Sequence, residues 1–255
     1  MAENNTSVLA IERAFAVLET IAASGPCSVA ELHKQLKISK PSLSRLLATL
    51  HQIGYLNRDE KTGNYSMTFK TYEVGLNAMR GFDYINTIKS SLSDLSARTG
   101  LIAQYSIEDK NELLCLETFN QSGSPFSIFS VCGRRSPLYS SSAGKAILST
   151  YSNLEIAEKL KNVEFVQLTD TTITSIDALL KEISEVRFKN YAFDLAESEP
   201  GLYCIGSPIV NMNHNAIGAI SLSAYYSSKE EMQRHSEVLL HCTARLSTLL
   251  GGIQI

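Results

Sequence analysis

The first seventy residues carry an order of segments that few small folds can use. Ile11, Phe15, Leu18 and Ala22 recur at three- and four-residue intervals, which predicts an amphipathic helix over 8–23. Ser24-Gly25-Pro26 stops it. Ser28-Val29-Ala30-Glu31 has the form of a capping box, in which the serine hydroxyl and the glutamate carboxylate each take an N–H left unpaired at a helix start. A short helix to Leu36 follows, with Val29, Leu32 and Leu36 on one face, and Lys37-Ile38 makes a tight turn. A third helix is expected from Ser39, with Pro41 tolerated in its first turn because the N–H there has no helical acceptor. Its apolar face is Leu43, Leu46, Leu47, Leu50 and Ile53, and its other face carries Ser42, Arg45, Thr49 and Gln52. Gly54 ends this helix, and Tyr55-Leu56-Asn57 and 64–69 read as short strands around a polar turn, 58–63.

Helix, capped short helix, turn, small-polar helix and hairpin is the order of a winged helix-turn-helix. A three-helix bundle with a solvated face is the plainer reading of the helices, and the hairpin directly after the third one tells against it. Small hydroxyls, an amide and one arginine let a helix backbone come close to base edges, which places Ser39, Lys40, Ser42, Ser44, Arg45 and Thr49 in or beside a major groove. Ser28 stands at the start of the preceding helix, and Arg58 and Lys61 in the hairpin are placed to meet phosphate. Charge distribution agrees. The whole chain has a net charge of −3, yet residues 34–61 hold six basic side chains against two acidic.

At 255 residues, 44% hydrophobic and 19% charged, the chain has room for two globular domains and lacks the composition of a disordered protein. No run of about 18 residues is uniformly apolar, so no membrane span is expected. Glu12, Arg13 and Glu19 interrupt any signal-peptide core at the N-terminus, which points to the cytoplasm. The five cysteines, at 27, 115, 132, 204 and 242, form no Cys-x-x-Cys pair and read as reduced, buried thiols rather than zinc ligands. Neither a cofactor nor a metal is expected.

Beyond residue 70 the pattern changes. Residues 71–90 read as a helical connector between an N-terminal domain, 1–70, and a second domain, 91–255, whose first helix runs over 85–98. Strands are expected at 101–107, 112–118, 203–210 and 216–224, and helices at 143–151, 153–161, 175–189 and 229–250. Without regular β-α-β alternation this is an α+β domain with a mainly antiparallel sheet. The serines ahead of 143 set hydroxyls and unpaired N–H groups at a helix start, an arrangement suited to a carboxylate, with plain capping as the bland alternative. In the strand Ala219-Ile220-Ser221-Leu222-Ser223, the two serines share a face and need partners that a polar ligand or water can supply.

The run from Ser28-Val-Ala-Glu-Leu through Lys40-Pro-Ser-Leu-Ser-Arg45-Leu-Leu-Ala-Thr-Leu50, then Gly54-Tyr55-Leu56 and Asn64-Tyr65, resembles the N-terminal domain of IclR-type transcriptional regulators. Gly133-Arg134, Pro137-Leu138, Ala143-Gly144-Lys145-Ala146, Tyr191-Ala192, Asp194, Glu197, Gly201-Leu202, Cys204-Ile205, Pro208 and Ser221-Leu-Ser223 resemble that family's sensor domain. The resemblance implies a GAF-like or profilin-like effector-binding domain, a DNA operator as partner, and Arg13 near the phosphate backbone. It carries an effector pocket onto Ser142, Ala143, Asp194, Cys204, Ser221 and Ser223, with Leu202 and Ile128 as apolar walls. Backbone N–H groups at Ser142 and Ala143 would hold a carboxylate; Asp194 would repel it and is expected to accept from a ligand hydroxyl. The segments 133–140 and 171–175 look most like members that sense sugar acids such as 2-keto-3-deoxygluconate, while Tyr203 and Leu195-Ala196 depart from the family pattern.

A serine hydrolase or acyl-transfer enzyme is the alternative, because Ser142-Ala-Gly-Lys145 is a Ser-x-x-Lys pair and Lys61-Thr-Gly63 also has a catalytic look. Against it, Lys-Thr-Gly precedes the serine and falls in the hairpin turn. The expectation is therefore a non-enzymatic regulator, acting as a repressor. A homodimer or dimer of dimers would read a pseudo-palindromic operator, since one small module buries too little surface for specificity.

Overall fold

A computed structural model of the chain describes residues 7–79, 84–120 and 132–251. The chain divides into two compact units, Met1–Asp83 and Tyr84–Ile255.

The first unit contains α1 (Leu9–Ser24), α2 (Val29–Leu36), α3 (Lys40–Gln52), β1 (Leu56–Arg58), β2 (Tyr65–Met67) and α4 (Lys70–Met79). Local chemistry sets each boundary. Ser28 Oγ accepts from Glu31 N while Ser28 N donates to Glu31 Oε2 at 2.8 Å, so the capping box opens α2 as read from the sequence. Lys37 closes α2 in the left-handed region, at φ 54°. Two histidines then act as fasteners: His33 Nδ1 lies 2.7 Å from Ile38 O at the turn, and His51 Nδ1 lies 3.0 Å from Leu56 O at the hairpin. Cys27 and Tyr65 exchange backbone bonds of 3.0 and 2.8 Å, tying the α1–α2 connection to the wing. Val17, Ile21, Leu32, Leu43, Leu47 and Leu56 fill the core between these elements.

The second unit runs α5 (Tyr84–Thr99), β3 (Ile102–Asp109), β4 (Glu112–Phe119), β5 (Arg135–Pro137), a 3-10 turn (Leu138–Ser140), α6 (Ser142–Leu148), α7 (Asn153–Leu160), α8 (Ile176–Lys189), β6 (Ala192–Leu195), β7 (Leu202–Val210), β8 (Ala216–Tyr225), α9 (Lys229–Gln233) and α10 (Ser236–Leu250). Its strands form one antiparallel six-stranded sheet in the order β5-β4-β3-β8-β7-β6. Strand alternation gives that sheet two different faces. On one face Ser207 bonds Thr243 of α10 at 2.9 Å, and Ile205 and Ile209 share that side with Leu222, opposite Ile205, and Ile220, opposite Ser207. The other face, carrying Cys204, Gly206, Ser221 and Ser223, meets α6.

Three expectations change. The strand expected at 101–107 runs on to Asp109, and Lys110 and Asn111, both at positive φ (56° and 64°), close a two-residue hairpin to β4. The helix read over 229–250 breaks at Arg234 and His235, whose N–H groups reach Glu231 O and Met232 O, only three residues back. Two edge strands went unread: β5, three residues long and ending in Pro137, which an edge tolerates, and β6, four residues long. Neither is long enough to show a period.

Candidate functional site: a groove-reading helix and a sensor cavity

In the first unit the helical turn of 100° per residue sorts the side chains of α3. Leu43, Leu47 and Leu50 face the core, and Lys40, Ser44, Arg45, Ala48 and Gln52 are exposed. Arg45, Ala48 and Gln52 therefore lie opposite the buried stripe. Ser42 is half-buried, and it and Thr49 turn toward α1, where with Ile11 and Phe15 they border an apolar groove of 950 Å³. Thr49 Oγ1 is spent locally, donating to Arg45 O at 3.0 Å. Ser42, Arg45, Thr49 and Gln52 thus share one polar face as read from the sequence, with Ala48 beside Gln52 at its outer edge, and Arg45 borders the groove along with Ser42 and Thr49. Ser39 is exposed at the N-cap of α3, and Ser28 is committed to the capping box. Arg13 is half-buried on α1. In the wing, Arg58 stacks its guanidinium 5.8 Å from the Tyr65 ring centroid, and exposed Lys61 follows a turn held by Asp59, whose carboxylate accepts from Lys61 N at 2.8 Å.

The second site is a cavity of 80 Å³ between the start of α6 and the sheet. At about 30 Å³ per molecule that is the room of two or three waters. Register, not sequence proximity, assembles it. Asp194 pairs with Cys204, Cys204 with Ser223, and Gly206 with Ser221, while Ser221 also pairs with Gln104. Ser142, Ala143, Asp194, Leu202, Cys204, Ser221 and Ser223 all line this one space; Ile128 lies outside the described residues.

Two glycines make the geometry possible by close approach. A Cβ on Gly206 would sit 2.8 Å from Ala143 N, so α6 can rest on β7 only where a side chain is missing. A Cβ on Gly144 would sit 2.3 Å from Leu138 O, where the 3-10 turn packs on α6. Ser141, not Ser142, is the N-cap: its Oγ accepts from Gly144 N at 3.2 Å. Ser142 and Ala143 thus occupy the first turn of α6, where N–H groups have no helical acceptor. Ser142 Oγ and Ser221 Oγ make no hydrogen bond among the described residues, whereas Ser223 Oγ donates to Gln104 Oε1 at 3.4 Å.

Asp194 differs from expectation. Its Oδ1 accepts from Glu197 N at 2.8 Å and Ser198 N at 3.3 Å, and its Oδ2 from Ser198 Oγ. Most of its acceptor capacity therefore holds the β6–β7 turn. Burial raises its pKa, against the pull of those bonds. Burial likewise pushes the Cys204 thiol well up, which makes it an inert wall. Further lining residues had gone unassigned, among them Gln104, Ser198 and Arg134, the last partnered by Glu199 at 3.8 Å. Gln104 is a polar residue in an apolar strand, a legible signal. Arg134 lay inside a quoted motif, but its direction depends on the pairing of β5 with β4.

The Ser-x-x-Lys reading meets a geometric obstacle. Lys145 Nζ donates to Glu182 Oε1 at 2.6 Å and Glu197 Oε1 at 2.7 Å, so it faces two carboxylates. A lysine held in this way is an ion-pair partner, not a base for Ser142.

Residues 77–248 match the family model described as bacterial transcriptional regulator IclR C-terminal, and residues 10–60 match the IclR helix-turn-helix domain. KdgR, an HTH-type transcriptional regulator of Escherichia coli K12, is 28% identical over 247 residues, covering 96% of this chain and 94% of its own. The Thermotoga maritima IclR structure superposes with a TM-score of 0.79 at 28% identity, covering 94% of this chain and 98% of that one. An IclR homolog from Microbacterium hydrocarbonoxydans, solved in complex with 4-hydroxybenzoate, shares the fold with a TM-score of 0.81 at 18% identity, covering 94% and 98%. No helix among the described residues is long and apolar enough to cross a membrane. With a winged helix-turn-helix in one unit, a polar cavity between α6 and the sheet in the other and both family domains matched along its length, this chain belongs to the IclR family of bacterial transcriptional regulators.

Proposed function

We propose that this regulator, a cytoplasmic non-enzymatic repressor, grips a pseudo-palindromic operator in double-stranded DNA and is tuned by a small carboxylate or sugar acid in the α6 cavity. The cavity carries the reading. It gathers two serine hydroxyls that make no hydrogen bond among the described residues and the first turn of α6 around one space, a chemistry that suits an anion. The resemblance of segments 133–140 and 171–175 to sugar-acid sensors favours a sugar acid, and the complex of the Microbacterium homolog supports carboxylates as a class. Arg45 and Ser44 of α3 are assigned to base edges. Ser39, Lys40, Ser42 and Thr49 flank them, and Arg13, Arg58 and Lys61 meet phosphate. Residues 71–90 serve as the connector between a 1–70 head and a 91–255 sensor. A ligand acts through it only by binding two arrangements of the heads unequally.

Duplexes enriched by the purified protein from a random library give the test, read by fluorescence anisotropy across a salt series. Lys61→Ala is expected to weaken binding to all sequences alike and flatten the salt slope by about one. Arg45→Ala is expected to cost about 1–3 kcal/mol at the preferred site and blur specificity. Small acids are expected to raise the melting temperature of the wild type and not that of Ser221→Ala with Ser142→Ala. No duplex binding at low salt, with or without acids, rejects the reading.

A further inference from the structure

Beneath the cavity lies a buried cluster of charge that any acidic ligand must share space with. Lys145 is fully buried in α6, with Nζ bonded to Glu182 of α8 and to Glu197. Glu197 is 5% exposed and Asp194 1%. The two are joined through Glu197 N and Asp194 Oδ1, and Asp194 forms the cavity wall. One cation therefore answers three carboxylates before any ligand arrives. Glu197 Oε2 is buried and has no hydrogen-bond partner among the described residues. An ionised oxygen in that position is far more expensive than a neutral one.

We propose that the cavity takes up its acidic ligand together with a proton, that Glu197 is the residue that holds this proton, and that affinity for acids therefore tightens as pH falls. This rests on the effector reading above and adds a residue to the site that lies behind its wall. The groups facing Glu197 are Lys145 from α6, Glu182 from α8, Asp194 from β6 and Cys204 from β7. On its outer side a surface cleft adds Lys181, Glu185 and Lys189 of α8 and Lys229 of α9. Burial pushes Glu197 up to about 7, Lys145 pulls it down, and Glu182 and Asp194 raise it again. A ligand carboxylate held at the start of α6, in the same cavity that Asp194 lines, is one more negative charge and moves Glu197 further up. Binding then draws a proton from solvent. Kd is expected to be flat well below the free-state value of about 7 and to rise up to tenfold per pH unit above it.

Isothermal titration of the full-length protein tests this with pyruvate, 4-hydroxybenzoate and 2-keto-3-deoxygluconate as probes. Their carboxyl groups stay ionised from about pH 6 to 8. Running each titration in two buffers of different ionisation enthalpy reads proton uptake directly. For the wild type the expected result is net uptake of a fraction of a proton, with affinity falling severalfold across that range. Glu197→Gln keeps the shape and an acceptor for Lys145, and is expected to bind the same acid with no uptake and no pH dependence. Should that variant fail to fold, the wild-type buffer comparison decides alone. Binding without uptake, or a Gln variant that keeps the full slope, overturns the proton role of Glu197 and leaves the effector reading standing. No binding of any probe at the acid end overturns both.

Discussion

Lys145 is the residue whose neighbours say most about it. Fully buried, it is held by Glu182 and Glu197 rather than by the serine its motif suggested. Removing one partner of a buried ion pair strands the others, at a cost of about 3–5 kcal/mol. Lys145→Met is therefore expected to destabilise the protein by that order, measured by urea unfolding. The loss should shrink as pH falls. In the folded state Glu197 titrates at about 7, above its unfolded value of 4.5. A folded state that holds the proton more tightly loses stability as pH rises through that window, and the variant, with no cation to offset the charge, loses more. An equal loss at acid and neutral pH would mean that packing, not charge, is what Lys145 supplies. Gly144 and Gly206 matter for the opposite reason, through what they lack. Each stands where a Cβ would strike backbone atoms of a neighbouring element, so together they fix how close α6 lies to its surroundings.

Elements here start and stop where side chains satisfy backbone. Ser28 with Glu31 and Ser152 with Glu155 both close capping boxes, at α2 and at α7 (Asn153–Leu160). Ser28→Ala is expected to cost about 1 kcal/mol and to loosen the first turn of α2, seen as faster amide exchange there. Because α2 packs against α3, weaker DNA binding should accompany it. Unchanged exchange at α2 would show that packing alone holds the helix. Such elements were legible because the signal is local: a hydroxyl, a carboxylate three residues on, then a 3.6-residue period. The edge strands β5 and β6 carry no such signal. Three or four residues cannot display alternation, and their pairing is decided by partners 21 to 25 positions behind them (β4) or 8 to 14 ahead of them (β7).

At the scale of the molecule, an apolar surface remains on the first unit. Ile11 and Phe15 of α1 and Val74 of α4 are about half exposed or more, at 56%, 59% and 49%. Together with Leu18, Ile53 and Met67 they line the 950 Å³ groove. We propose a second copy of the chain as the cover of the α1 and α4 side of that groove, since a lone head buries too little DNA surface for specificity, while the α3 side with Ser42, Arg45 and Thr49 stays with the DNA. Phe15→Asp is expected to shift the protein from dimer to monomer in sedimentation and to weaken operator binding well beyond any effect on a half-site. A variant that sediments unchanged would place the dimer contact elsewhere.

The sequence by itself determined the winged helix-turn-helix and most helices and long strands of the second unit, because caps, turns and periods act over a few neighbouring residues. It also named most of the cavity, through a resemblance that stands in for geometry. Only the tertiary structure decided what those residues do there. Strand register brings Gln104, Cys204 and Ser221 to one face, Gly206 lets the start of α6 rest against it, and a fold-spanning cluster joins Lys145 to Glu182 and Glu197. Electrostatic and steric forces act through space, so the charge that a buried carboxylate feels is set by neighbours many residues away along the chain.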